Sequence, residues 1–346
     1  MTAAVVAVVE VSCRGDGVMT SPFDLMASAD FLVPDRDAAV AMVQRVLGFA
    51  EPKPRWSWGD PGQGFRVTFC RPHRTLRQSP TLVELIEPAA VDPARPMSEV
   101  VWNVAGLAAR QGDRPLKTHG APIASSAVDD LIERVRSLGL RHWVQPSSDV
   151  YPFSRLWMGI TADDLADYRP GSDGGLMLEV IDTRTVGLPA DVLNEDAAGN
   201  GNAPIDDDGA GTMVRTAARV FLVDDLDRSI EELAHTFMWE PEVGPETGAD
   251  GSLRAVLGFR LPQSARIELL APADDSDAGK FLKQWGPGIW HVRIAVSDID
   301  AKAADLRARG TPFAQVRTGF EHPDVVLRID PAATPASRFE FAALSA

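Results

Sequence analysis

The fold is decided by a stretch near the C terminus that reads Trp290-His291-Val292-Arg293-Ile294-Ala295-Val296. Its alternation is typical of a β-strand, so the apolar residues at 292, 294 and 296 are predicted on one face and His291 and Arg293 on the other. Asp298 follows as a helix cap, and Gly310 comes where that helix would end. The stretch therefore predicts a strand followed by a helix that packs on one face of a sheet.

The same order of elements recurs along the chain. Each copy has a short apolar strand, an acidic turn, an amphipathic helix, and later strands that close on a glutamate between apolar residues. The closing segments of the four copies are Leu82-Val83-Glu84-Leu85, Met177-Leu178-Glu179-Val180, Ile267-Glu268-Leu269-Leu270 and Phe339-Glu340-Phe341. The repeat predicts an α+β protein of four βαβββ modules that make two pairs.

The length of 346 residues suits two domains, each with its own core. Residues 184–212 are rich in Gly, Asn, Asp and Pro and cannot bury much apolar surface, which predicts a flexible linker. We therefore predict an N-terminal domain over 21–183 with modules 1 and 2, and a C-terminal domain over 213–346 with modules 3 and 4.

Composition excludes several classes of partner. The net charge of −15 repels nucleic acid and anionic membranes, and no apolar run is long enough to span a bilayer. The chain has only two cysteines, Cys13 and Cys70, and its start does not resemble a signal peptide. These features predict a cytoplasmic protein without a nucleic-acid or membrane partner.

The C-terminal modules resemble the vicinal oxygen chelate superfamily, which includes glyoxalase I, methylmalonyl-CoA epimerase and extradiol ring-cleaving dioxygenases. The run Ile267-Glu268-Leu269-Leu270-Ala271-Pro272, followed by Gly286-Pro287-Gly288-Ile289-Trp290-His291, is most similar to the segment that joins the two modules of methylmalonyl-CoA epimerase. The resemblance implies two glyoxalase-like domains with cupped mixed sheets.

In this superfamily, the first and last strands of each module hold a divalent metal ion in the cup. The resemblance puts Ala218, Glu268, His291 and Glu340 at those places. It implies Mg²⁺, Mn²⁺, Co²⁺, Ni²⁺ or Zn²⁺ on His291, Glu340 and Glu268. The family usually has histidine where Ala218 stands, which disfavours ring cleavage. Leu257 stands near the place of the epimerase's glutamate base, which disfavours plain epimerase activity.

The N-terminal domain has a degenerate set at the same four places, Ser28, Glu84, Gly120 and Glu179. His119 is one residue out of register and is predicted to face the helices unless a bulge turns it. We predict that this domain binds no metal and is a structural half, a half that covers the ligand, or a binding cup with tryptophans.

Arginine competes with metal as the partner of the glutamates. An arginine lies two residues from each predicted ligand, in the pairs Arg266 with Glu268, Arg293 with His291, and Arg338 with Glu340. Alternation predicts that these arginines face the same cavity. They would either neutralise the glutamates without a metal or bind an anionic substrate beside one.

The leading hypothesis is a metal-dependent lyase or isomerase. Its substrate would be a small oxoacid, hydroxycarbonyl or thioester that reacts through a metal-stabilised enolate, with Glu268 or Glu340 moving the proton and Arg293, Arg266 and Arg338 binding substrate. Two alternatives stay open, a non-catalytic sequestering protein of the same fold and a ring-cleaving-type dioxygenase. A homodimer is compatible with all three of these functions.

Overall fold

The computed structural model describes residues 21–54, 57–58, 63–73, 78–91, 104–147, 152–187 and 209–344. Residues 188–208, which form most of the predicted linker, lie outside this part, so the domain boundaries stay a prediction. Within the described ranges, no helix has both the length and the apolar character needed to cross a bilayer.

The C-terminal modules form one eight-stranded mixed sheet in the order β11-β12-β13-β10-β14-β17-β16-β15. Its strands are β10 (Met213–Leu222), β11 (Val243–Thr247), β12 (Leu253–Leu257), β13 (Arg266–Ala271), β14 (Gly288–Val296), β15 (Phe313–Arg317), β16 (Val325–Ile329) and β17 (Phe339–Ala343). The central strands β10 and β14 are antiparallel, and each pairs in parallel with the closing strand of its own module. Modules 3 and 4 therefore pair with each other in chain order.

The N-terminal modules form two smaller sheets, β2-β5-β4-β3 and β1-β6-β9-β8-β7. Their strands are β1 (Leu25–Met26), β2 (Ser28–Leu32), β3 (Ser57–Trp58), β4 (Gln63–Cys70), β5 (Leu82–Val91), β6 (Ala121–Ser125), β7 (His142–Gln145), β8 (Arg155–Met158) and β9 (Leu178–Asp182). The first strand of each module again pairs in parallel with its closing strand. This architecture confirms the predicted α+β fold of cupped mixed sheets.

Each module has a helix between its first two strands. These helices are α1 (Arg36–Met42, continued by a π-helical turn over Val43–Leu47), α3 (Val128–Ser137), α4 (Leu226–Phe237) and α6 (Ile299–Ala308), while α2 (Val104–Arg110) and α5 (Asp277–Trp285) precede modules 2 and 4. Aspartates cap three of them. The Asp298 side chain accepts hydrogen bonds of 2.9 Å from the backbone N–H groups of residues 300 and 301, as the sequence predicted.

The two halves share a buried core. The rings of Phe31 and Phe339 are 5.4 Å apart, and the Lys302 ammonium donates to the Leu47 carbonyl at 2.8 Å. Arg219 of β10 is fully buried and donates to the carboxylate of Asp30 at 3.0 Å and to its backbone carbonyl. These contacts fix the position of one half against the other.

Candidate functional site

Three strands of the C-terminal sheet bring the predicted residues together. Glu268 lies on β13, His291 and Arg293 on β14, and Glu340 on β17. Arg293 is directly opposite Glu340 in the strand register, and residue 220 is opposite both Glu268 and His291. Residues directly opposite in a sheet share a face, so the four side chains meet on the concave side. All four are buried.

His291 and Glu340 form the closest pair of the predicted metal ligands. The Nε2 atom of His291 is 2.9 Å from Oε2 of Glu340. Nη2 of Arg293 is 3.5 Å from each of these two atoms. A guanidinium group therefore sits against both predicted ligands.

Glu268 is held by arginines. Arg293 donates through Nη1 to Oε1 of Glu268 in a very short hydrogen bond, and Nη1 of Arg254 is 3.8 Å from Oε2 of Glu268. The other carboxylate is held in the same way, because Nε of Arg328 donates to Oε1 of Glu340 at 2.8 Å. Each buried glutamate thus has two arginines beside it.

Burial and charge set the protonation states of this cluster. Burial lowers the pKa of His291 and outweighs the opposing effect of Glu340, so the imidazole is neutral at pH 7. Burial alone would raise the pKa of Glu340, but His291, Arg293 and Arg328 outweigh it and hold that pKa far below its usual range. Glu340 is therefore ionised and is a weak base.

The arrangement does not fit a divalent ion on the three predicted ligands. His291 and Glu340 are residue types that bind divalent ions. Adjacent ligand atoms of an octahedral ion are about as far apart as the facing atoms of these two side chains. Glu268, however, is separated from them by the positive charge of Arg293. Across the described residues, no three His, Cys, Asp or Glu side chains are grouped in a way that could hold a metal ion.

The structure places the three predicted substrate-binding arginines differently. Arg293 lies in the cup, as predicted. Arg266 instead pairs with Glu242 at 3.0 Å at the start of β13, where its side chain is 39% exposed. Arg338 lies just before β17, and its guanidinium is 3.7 Å above the ring of Trp290. Of the three arginines, Arg293 alone contacts the predicted metal ligands, and substrate binding by all three stays a prediction.

Sequence reasoning missed Arg254 and Arg328. Arg328 is opposite Glu340 in the register of β16 and β17, and Arg254 lies on β12 beside β13. Both strands come from the middle of a module, where the sequence has no glutamate or histidine that marks the cup. Only a predicted strand register would have revealed these two residues.

The N-terminal cup contains a separate buried ionic network. His119 precedes β6 and is followed by Gly120, whose φ is +153° and where a Cβ atom would clash with the Met177 carbonyl oxygen. The His119 ring therefore does not face the helices. Its Nδ1 is 2.9 Å from Asp30, and its Nε2 is 3.5 Å from Glu179.

Neighbouring groups complete this network. Arg155 donates to Glu179 at 2.9 Å, and Ser28 donates to Glu84 at 2.5 Å. Burial raises the pKa of Glu84 to about 7. Burial opposes the charge on His119, but Asp30, Glu179 and Glu84 raise the pKa of the imidazole to about 10. That the N-terminal cup binds no metal stays a prediction. The described acidic side chains in this cup are all paired with His, Arg or Ser side chains.

A known family model matches the C-terminal half of the chain. The model of the glyoxalase/bleomycin resistance protein/dioxygenase superfamily matches residues 219–326. A comparison with curated proteins found no match. Methylmalonyl-CoA epimerase from Mycobacterium tuberculosis is 27% identical over 40% of this chain and 93% of its own, with a TM-score of 0.35. Streptomyces coelicolor methylmalonyl-CoA epimerase with 2-nitronate-propionyl-CoA is 23% identical over 39% and 99%, with a TM-score of 0.35.

A longer structural match covers both halves. A mutant of 4-hydroxymandelate synthase from Streptomyces coelicolor is 15% identical over 94% of this chain and 95% of its own, with a TM-score of 0.53. At this identity the match shows the fold alone. The sequence match places residues 219–326 in the glyoxalase/bleomycin resistance protein/dioxygenase superfamily, and nearly the whole chain shares the fold of the two-domain 4-hydroxymandelate synthase.

Proposed function

We propose that the C-terminal half is an isomerase or lyase that transfers a proton beside the carbonyl group of a small oxoacid, hydroxycarbonyl or thioester. The observation that carries the proposal is the buried contact of 2.9 Å between His291 and Glu340, with Arg293 at 3.5 Å from both. The substrate class comes from the resemblance to this superfamily, and the roles of the residues come from the geometry.

His291 is the proton acceptor in this proposal. A neutral ring that donates its Nε2–H to Glu340 leaves a lone pair on Nδ1. That atom is buried and has no hydrogen-bond partner among the described residues. Glu340 then orients the ring and stabilises the imidazolium that forms. This role replaces the predicted one, in which Glu268 or Glu340 moves the proton, because both carboxylates are held by arginines.

Arg293 stabilises the negative charge that develops on the substrate oxygen. Its guanidinium is already fixed by Glu268 and Glu340, so it loses little freedom when the enolate forms. Its Nε–H is buried and has no hydrogen-bond partner among the described residues, so one donor is still available. Burial opposes the charge of Arg293, but Glu268 and Glu340 raise its pKa, and the group stays cationic.

Proteins of this superfamily usually bind a divalent metal ion. In the arrangement described here, Arg293 supplies the positive charge at that place in the cup, and the proposed proton transfer needs no other cation.

The proposal is tested by hydrogen exchange. Pyruvate, dihydroxyacetone and a propionyl thioester are incubated with the protein in D₂O, and loss of the C–H signal beside the carbonyl is followed by proton NMR.

We expect wild type to exchange the proton of at least one of these substrates. The rate of that exchange should be lower by about 100-fold or more in His291→Phe. Arg266→Met is the matched control, since it removes an arginine that pairs with Glu242 outside the cluster. Unchanged exchange in His291→Phe would refute the assigned base. Exchange in none of the three substrates would refute the proposed reaction class.

A sequestering protein is the second candidate, and one observation favours it. Arginines already neutralise both buried carboxylates of the cup, Glu268 and Glu340, so the cluster can stabilise the fold without taking part in catalysis. Such a protein would bind a substrate analogue without exchanging its protons. Calorimetric titration with the same three compounds separates it from the enzyme, because binding without exchange supports this candidate alone.

A further inference from the structure

Gln145 in the N-terminal half has a buried amide without a partner. It is the last residue of β7, and its side chain is 97% buried, with a relative exposure of 3%. Neither its amide nitrogen nor its amide oxygen has a hydrogen-bond partner among the described residues. Leaving a buried donor and acceptor unpaired is costly, so a water molecule or a ligand that pairs with them would stabilise this site.

The strand register places this amide on the concave face. Gln145 is directly opposite Arg155, and Trp143 is directly opposite Trp157, which is in turn opposite Glu179. Residues in direct opposition share a face, so all five side chains lie on the side where Arg155 and Glu179 form their ion pair. The amide is therefore beside two tryptophans within the N-terminal cup.

The tryptophans form an aromatic wall with one accessible side. The rings of Trp143 and Trp157 are stacked, with centroids 6.4 Å apart and planes that differ by 28°, so they do not leave room for a ligand between them. Trp157 is buried, whereas Trp143 is half-buried. Because β7 is the edge strand of its sheet, a ligand could reach the wall past Trp143.

The charges of this cup favour a neutral ligand. Glu179 is paired with Arg155 and lies 3.5 Å from His119, and Asp30 is paired with His119 and Arg219. An added anion or cation would have to break one of these buried pairs, which is expensive. A neutral planar ligand loses little on desolvation and gains contact with the indole rings.

We infer that the N-terminal cup binds a neutral planar aromatic ligand that presents a hydrogen-bond donor and an acceptor side by side, as a carboxamide or lactam does. Gln145 recognises that edge with its own acceptor and donor, and Trp143, which stacks on the buried Trp157, contacts the flat face. The site is independent of the proposed chemistry in the C-terminal half. The N-terminal cup, which is predicted to bind no metal, would thus bind an organic ligand.

The test uses benzamide as the probe and the full chain. Binding is followed by quenching of tryptophan fluorescence and by calorimetric titration, with acetophenone as an aromatic compound that has only the acceptor and benzoate as a charged one. We expect saturable binding of benzamide, weaker binding of acetophenone, and none of benzoate. In Gln145→Leu, binding of benzamide should be about tenfold weaker, because two hydrogen bonds are lost.

Gln263→Leu is the matched control, since Gln263 also has an unpaired buried oxygen but precedes β13 in the other half of the chain. Trp143→Phe, which keeps an aromatic ring, should remove most of the fluorescence change. Urea unfolding of each variant reports its stability. Absence of benzamide binding up to about 10 mM, or equal binding in Gln145→Leu and wild type, would overturn the inference.

Discussion

Replacing Arg293 by methionine tests whether a guanidinium group stands in the place of a metal ion. The substitution removes the cation that contacts Glu268, Glu340 and His291 and keeps most of the side-chain volume. Two carboxylates and a neutral imidazole are then left facing one another. That set of oxygen and nitrogen donors is suitable for a divalent ion.

The size of the effect follows from the contacts that remain. Breaking a buried ion pair by removing one partner costs about 3–5 kcal/mol of stability. Arg328 still donates to Glu340 at 2.8 Å, and Arg254 stays 3.8 Å from Glu268, so we expect a loss near the lower limit, about 3 kcal/mol. A divalent ion at 100 times its dissociation constant would return about 2.7 kcal/mol.

The assay combines urea unfolding with metal analysis. Wild type and Arg293→Met are unfolded with Mn²⁺, with Zn²⁺ and with a chelator, and the ions retained after gel filtration are counted by mass spectrometry. We expect the metals to stabilise only the variant, with about one retained ion per chain. Arg266→Met is the control, because its partner Glu242 lies outside the cup.

Two results would refute this reasoning. If wild type retained about one ion per chain and the variant retained no more, Arg293 would not occupy the metal's place and the predicted ligands would bind metal beside it. If the variant were destabilised and no metal restored it, the cup would be unable to hold an ion even without the guanidinium.

Three further predictions concern stability and are checked by urea unfolding. The raised pKa of His119 stabilises the fold fully below about pH 6.5, the unfolded value, and this stabilisation is lost as pH rises to about 10, so His119→Gln should flatten the pH dependence in that range. An unchanged profile would contradict the assigned charge. Arg219→Met should cost about 3 kcal/mol, because Asp30 stays buried with one partner fewer, and a loss below about 1 kcal/mol would contradict it. Asp298→Ala should cost about 1 kcal/mol through the lost helix cap, whereas Asp300→Ala, in the first turn, should cost less.

The sequence alone determined the modules and the faces of their strands. Alternation along one strand is a local property, so the concave positions of Glu268, His291 and Glu340 could be predicted from neighbouring residues and from the family resemblance. The Asp298 helix cap was equally local. These features depend on a few consecutive residues and not on how the modules meet.

Only the tertiary structure decided which charges meet in the cups. Arg254 and Arg328 reach the glutamates from strands whose register the sequence does not specify, and the guanidinium of Arg338 lies over Trp290. The turn at Gly120 likewise brings His119 to Asp30, which lies 89 positions earlier in the chain. An ion pair depends on distances of a few ångströms between strands far apart in sequence, so its partners are fixed only when the whole sheet has formed.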